Sequence, residues 1–147
     1  MATYLVGPRP REVTFTPDGK AAFVTTEIGR QIFKFDTTTN RELAQITLED
    51  IATKPKGIVH LPSRGELWVT TGRGNSVVVL GSDDLELRAT IPVGKRVWGI
   101  ARSPDDRRVY TADGLDNAVS VIDVASRAVV GTIAVGEKPW GLAYVAR

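Results

Sequence analysis

Short runs of β-branched, aromatic and aliphatic residues, each cut off by Gly, Pro, Asn or Asp, recur along the whole chain. No stretch sustains a 3.6-residue hydrophobic period, so essentially no helix is expected. The pattern predicts strands over 12–16, 21–25, 31–35 and 42–48, over 57–61, 66–70, 76–80 and 87–93, over 99–103, 108–112, 118–122 and 129–135, and over 141–145. The first two strands of a set are joined through Pro17-Asp18-Gly19 or Pro104-Asp105-Asp106, where Pro fixes φ and Asp or Gly accepts tight geometry. Asp36, Gly81 and Asp123 open the turns between third and fourth strands.

These sets are copies of one another. Pro10-Arg11-Glu12-Val13 aligns with Pro55-Lys56-Gly57-Ile58, Val97-Trp98-Gly99-Ile100 and Pro139-Trp140-Gly141-Leu142, at successive offsets of 45, 42 and 42 residues. The same offsets align Phe23, Trp68 and Tyr110, then Ile32, Val77 and Val119, then Ile46, Ile91 and Ile133. The longer first interval places its extra residues around Asp50-Ile51-Ala52. Four strands in about 40–45 residues is the size of one β-propeller blade. A solenoid of that period would carry helices, and a sandwich or barrel has no need of matched residues at a fixed offset.

The expected fold is therefore all-β, a partial β-propeller with about three four-stranded blades plus a strand at each end. The blades fall at 8–48, 54–94 and 96–136, with 3–7 closing a preceding blade and 138–147 opening a following one. The end assignments rest on Tyr4-Leu5-Val6-Gly7, which matches Ile91-Pro92-Val93-Gly94 and Ile133-Ala134-Val135-Gly136. A chain that opens on a fourth strand and stops on a first one reads as a piece of a larger ring, since rings usually need about four to eight blades.

Composition narrows the chemistry. The 147 residues are 42% hydrophobic and carry a formal charge of +2, without a long block of one sign, so the charge does not call for a nucleic-acid partner and none is expected. Zero Cys excludes disulfides, thiolate metal sites and a thiol nucleophile, and a single His cannot build a multi-His metal site or a conventional triad. No apolar run is long enough to span a bilayer as a helix, and the first ten residues contain no signal-type apolar stretch. His60 aligns with Phe15, Arg102 and Tyr144 and reads as an ordinary strand residue. Asp83-Asp84 and Asp105-Asp106 read as solvated turn carboxylates, and Gly72-Arg73-Gly74-Asn75 as a turn rather than a dinucleotide loop, since no helix follows. No catalytic residue, metal ligand or cofactor site is assigned, and the chain is expected not to be an enzyme.

One position stands out. Arg9, Lys54, Arg96 and Lys138 align, and all are cationic; two residues on stand Arg11, Lys56, Trp98 and Trp140, at the start of the innermost strand. In an antiparallel blade these residues share one face with Arg30, Arg73 and Asn117, which makes a basic, partly aromatic rim diluted by Glu12, Glu27, Asp113 and Glu137. Arg and Trp are favoured interface anchors, so the rim is the candidate site for a protein or a small anionic ligand. The end faces are expected to need missing blades or a second copy of the chain.

The motifs Phe15-Thr16-Pro17-Asp18-Gly19-Lys20, Phe23-Val24-Thr25-Thr26, Val119-Ser120-Val121-Ile122-Asp123 and Thr132-Ile133-Ala134-Val135-Gly136 resemble the YVTN family of bacterial propeller repeats over nearly the whole chain. Leu61-Pro62-Ser63-Arg64-Gly65 and Thr111-Ala112-Asp113 depart from its pattern. Trp98-Gly99 and Trp140-Gly141 look like the C-terminal blades of propellers that accompany PQQ-dependent alcohol oxidation systems. The resemblance implies a binding or scaffold role in the periplasm, at the cell surface or outside the cell. It also raises an accessory or subunit of a periplasmic PQQ-dependent or cytochrome-linked dehydrogenase system, and a lactonase-like hydrolase as a third reading. Fold alone does not choose among them.

Overall fold

A computed structural model describes residues 3–48 and 54–145. The insertion around Asp50-Ile51-Ala52 and the last two residues of the 138–147 segment lie outside the described residues. Twelve strands form three four-stranded antiparallel sheets. The first holds β1 (Pro10–Phe15), β2 (Ala21–Thr26), β3 (Gln31–Asp36) and β4 (Arg41–Thr47). The second holds β5 (Ile58–Leu61), β6 (Glu66–Thr70), β7 (Ser76–Gly81) and β8 (Leu87–Pro92), and the third β9 (Val97–Arg102), β10 (Arg108–Asp113), β11 (Ala118–Asp123) and β12 (Ala128–Ala134). Strand order follows chain order in each sheet, the first strands β1, β5 and β9 lie beside one another, and the sheets do not close into a ring. The architecture is that of a partial β-propeller.

The repeat extends to irregularities that no strand pattern shows. The pairing of third with fourth strand slips by one residue between Lys34 and Phe35, between Val79 and Leu80, and between Val121 and Ile122, which are aligned positions. The extra residue is Leu43, Arg88 or Val130, a β-bulge that adds twist at the outer edge of each blade. The turn from first to second strand repeats its chemistry in the first and third blades. Thr16 Oγ1 donates to Asp18 Oδ1 (2.7 Å) and accepts from Ala21 N (3.0 Å), while Ser103 Oγ donates to Asp105 Oδ1 (2.6 Å) and accepts from Arg108 N (3.0 Å). Leu61 has no hydroxyl to do this, and Pro62–Arg64 forms a 3-10 turn ended by Gly65 at φ 61°. Ser63 N and Oγ instead reach Asp106 of the next blade at 3.1 and 2.8 Å, so Asp106 is a buried interblade acceptor rather than a solvated carboxylate.

Burial follows the neighbours each sheet has. Phe23, Ile32, Ile58, Leu67, Val69, Val78 and Leu80 form one apolar layer between the first and second sheets. Trp68, Val77, Val79, Ile91, Ile100, Val109 and Ile122 form the next. Hydroxyl latches tie the inner strands across these layers: Thr25 Oγ1 donates to Lys56 O (2.7 Å) and Thr70 Oγ1 to Trp98 O (2.6 Å). The aligned residue Ala112 cannot make the third latch. A Cβ on Gly57 would meet Trp98 O at 2.8 Å, and one on Gly99 would meet Gly141 Cα at 2.6 Å, so glycine here lets neighbouring inner strands touch.

Residues 3–6 and 141–145 are in no ladder, but each lies against the end sheet it adjoins. Tyr4 packs its ring 4.8 Å from Phe35 and donates to Asn40 Oδ1 (2.6 Å), while Tyr144 lies 6.0 Å from Tyr110. Without second and third strands beside them these segments have no ladder to join.

His60 is buried on β5 with its ring 5.9 Å from Phe23 and its Nδ1 without a hydrogen-bond partner. Burial, and then the Arg102 cation, hold its imidazole below the ordinary range, against the weaker pull of Asp106 and Asp83; Lys34 adds to the lowering. The folded protein therefore prefers neutral His60, and the unfolded chain takes up the proton first as pH falls through 6.5, the ordinary value for histidine. Stability should drop over that window relative to His60→Phe, the aromatic residue of the aligned position. Denaturant melts of both proteins between about pH 8 and about pH 5 check it, and parallel curves would refute it.

Candidate binding rim

The turns between second and third strands, and those from a fourth strand to the next blade's first, meet on one face, as their aligned contacts show. Asn75 Oδ1 accepts from Arg96 N (2.8 Å) and Asn117 Oδ1 from Lys138 N (3.0 Å), each fixing the turn that leads into the next blade. Arg9, Arg96 and Lys138 all sit in the left-handed region, at φ 63°, 58° and 50°. That region ordinarily favours Gly or Asn, so the repeat of a long cation there is not dictated by backbone geometry.

Arg11, Lys56, Trp98 and Trp140 come together. With Glu12, Gly57 and Gly99 they line a cleft of about 90 Å³ at the inner strands. The two indoles stack with centroids 4.2 Å apart. Lys56 Nζ lies 5.5 Å from the Trp98 ring and 5.6 Å from Trp140, Arg11 5.8 Å from Trp140, and Arg96 5.8 Å from Trp98, all within cation–π range. Trp98 Nε1 and Arg96 Nε are buried without a hydrogen-bond partner. Lys54 and Lys138 belong to the same turns through their backbones, and neither side chain joins the cleft.

Glu27 is the residue that the sequence placed only as a diluting charge. Its Oε2 lies 3.1 Å from Arg9 Nε and 3.5 Å from Arg11 Nη1, its Oε1 3.5 Å from Lys56 Nζ, and none of these contacts to Oε2 has the alignment of a hydrogen bond. Burial pulls the Lys56 ammonium below the ordinary lysine range, and Glu27 opposes it. Burial pushes the Glu12 carboxyl up, against the Ile58 N–H that donates to it at 3.2 Å.

The other clefts differ in their lining: one is formed by Tyr110, Leu142, Ala143 and Tyr144 and carries no charged side chain. Another, of about 320 Å³ on the opposite face, is lined by Ser63, Arg64, Asp106, Arg108 and Asp123 among others, where Arg102 pairs with Asp106 at 2.5 Å and Arg108 with Asp123. Asp113, in the Thr111-Ala112-Asp113 departure, is buried and accepts from Thr111 Oγ1 (2.9 Å) and Ser120 Oγ (2.5 Å), and burial holds its carboxyl above the usual range. Among the described residues no group of three or more His, Cys, Asp or Glu could hold a metal, and no helix is long and apolar enough to cross a membrane.

No family model and no curated protein matches the sequence. Solved structures match its fold: Kuenenia stuttgartiensis hydrazine synthase at 25% identity (TM-score 0.83, 91% of this chain and 38% of that one), U3-55K at 18% (0.79, 92% and 42%), and the RRP9 WD40 repeats at 19% (0.77, 89% and 40%). The chain thus spans less than half the length of each. The class is a β-propeller module, shared by an enzyme and by WD40 repeat proteins.

Proposed function

We propose that this chain is a non-catalytic binding and scaffold segment of a larger YVTN-type propeller, which holds an acidic protein partner or small anion at its basic, aromatic rim. The convergence of Arg11, Lys56, Trp98 and Trp140 on one cleft carries this reading, since cations over indoles supply both charge and a flat apolar surface. The repeat motifs support the family assignment and, with it, a periplasmic or surface location in a bacterium. The test is charge reversal on a blocked poly-glutamate peptide. Arg11→Glu with Arg96→Glu, which reverses two cations that lie over the indoles, should weaken binding at least about tenfold, whereas Arg107→Glu with Arg108→Glu on the opposite face should leave it unchanged. The reverse outcome would place the partner on the other face.

The pairs Trp98-Gly99 and Trp140-Gly141 support a second reading, as accessory or subunit of a periplasmic PQQ-dependent or cytochrome-linked dehydrogenase system whose cofactor chemistry another chain supplies. A visible-region spectrum that changes when PQQ or haem is added to the purified chain would support it over the first.

A further inference from the structure

We infer that Arg9, Arg11 and Lys56 form a carboxylate-recognition site that Glu27 fills in the free protein, and that a carboxylate of the acidic partner takes when Glu27 leaves. The inference rests on the rim-binding reading and deepens it.

The repeat shows what is unusual about Glu27. Its aligned residues are Gly72 and Gly114. In each blade this turn position lies against the residue at the start of the inner strand. A Cβ on Gly72 would meet Lys54 O at 2.8 Å and Lys56 Cε at 3.3 Å, and one on Gly114 would meet the Trp98 ring at 2.8 Å. In the first blade the same juxtaposition sets Glu27 against Arg11. The second and third blades thus leave the space to the rim side chain, and only the first puts a carboxylate into it.

Three cations converge on this one carboxylate, while Glu12, the other carboxylate that lines the cleft, accepts from Ile58 N. The Lys56 and Glu27 side chains are only 8% and 10% exposed, so the interaction is poorly screened. Yet the pairing is loose: the contacts at 3.1, 3.5 and 3.5 Å include no aligned hydrogen bond to Oε2, although Arg can hold a carboxylate with two parallel bonds. The site is built for a carboxylate and is only partly satisfied by its own. Glu27 opens the turn at residues 27–30, next to the 54%-exposed Ile28, from which its side chain can rotate out without disturbing a strand. The adjoining cleft, at about 90 Å³, has room for roughly three waters at the liquid volume per water, which suits a carboxylate head rather than a whole ligand. The rest of an acidic peptide would lie on Trp140, which is 59% exposed.

The experiment compares wild type with Glu27→Gly, the residue of the other two blades, and with Glu27→Gln. Binding of acetate, and of a blocked hexapeptide of alternating Glu and Gly, is followed by tryptophan fluorescence at fixed ionic strength, with the methyl-esterified peptide as control. Each Glu27 variant should bind both probes at least about tenfold more tightly than wild type. It should also gain more thermal stability from acetate than from chloride, and Lys56→Met in either background should remove the gain. Glu27→Gln keeps the test open if the glycine variant fails to fold. Equal or weaker binding by the variants, with wild type still binding the peptide, overturns the self-occupied site and leaves the rim reading standing. A gain that survives Lys56→Met also overturns it, because the carboxylate would then sit elsewhere. A gain for acetate with no peptide binding by any form supports the site and counts against the acidic partner. No binding of either probe by any form counts against both.

Discussion

Replacing Trp68 by alanine should destabilise the protein by about 3–5 kcal/mol, the cost of emptying the volume of a fully buried indole from a core that cannot collapse around it. Trp68 is fully shielded on the middle sheet, where Leu61, Val77, Val79, Ile91 and Ile100 share its layer with the third sheet. Its Nε1 also donates to Glu66 Oε2 at 3.0 Å, and that buried carboxylate is otherwise held by Arg127 Nη2 (2.7 Å) and, more loosely, by Arg64 Nε (3.5 Å). Trp68→Phe should therefore cost far less than Trp68→Ala, because it keeps most of the apolar volume and leaves Glu66 its two cations. Urea unfolding followed by circular dichroism measures both. An alanine variant within about 1 kcal/mol of wild type would mean that the sheets do not pack face to face as described.

How far the sequence discloses this molecule depends on whether a feature is repeated along the chain or made across it. Strands, their order and the blade spacing are periodic, so a fixed offset exposes them even where single residues differ. The bulges at Leu43, Arg88 and Val130 repeat too, but a one-residue slip leaves no mark in hydrophobic alternation. The rim was visible because Arg11, Lys56, Trp98 and Trp140 align, and the structure gathers those four into one cleft. Depth was not visible. Asp106 looked like any turn carboxylate because its partner Ser63 reaches it from the preceding blade, and Glu27 looked like a diluting charge because nothing local marks it as buried under Lys56. One signal was available for each: Glu27 departs from two aligned glycines, and the loss of the hydroxyl at Leu61 left a turn in need of an outside partner.

The same alignment gives a controlled comparison of covered and uncovered faces. Ile91 and Ile133 occupy one repeat position, yet Ile91 is 4% exposed between the second and third sheets and Ile133 is 51% exposed on the far side of the third. At the other end Ile58 is 2% exposed and the aligned Val13 48%. The residue type hardly changes, so the difference lies in the presence or absence of a neighbouring sheet. Ile91→Ala should accordingly cost about 2–5 kcal/mol, while Ile133→Ala should cost well under about 1 kcal/mol, because a half-wet side chain has already lost much of its transfer free energy and leaves no closed cavity. Both substitutions are measured in the 147-residue chain at low concentration, with light scattering to fix its mass. Should Ile133→Ala prove as costly as Ile91→Ala, the outer face of the third sheet is covered in solution, and the dependence of that cost on concentration identifies the cover. A cost that fades on dilution means a second copy, whereas one that holds in a monomer means that 138–145 or some other part of the chain folds over Ile133.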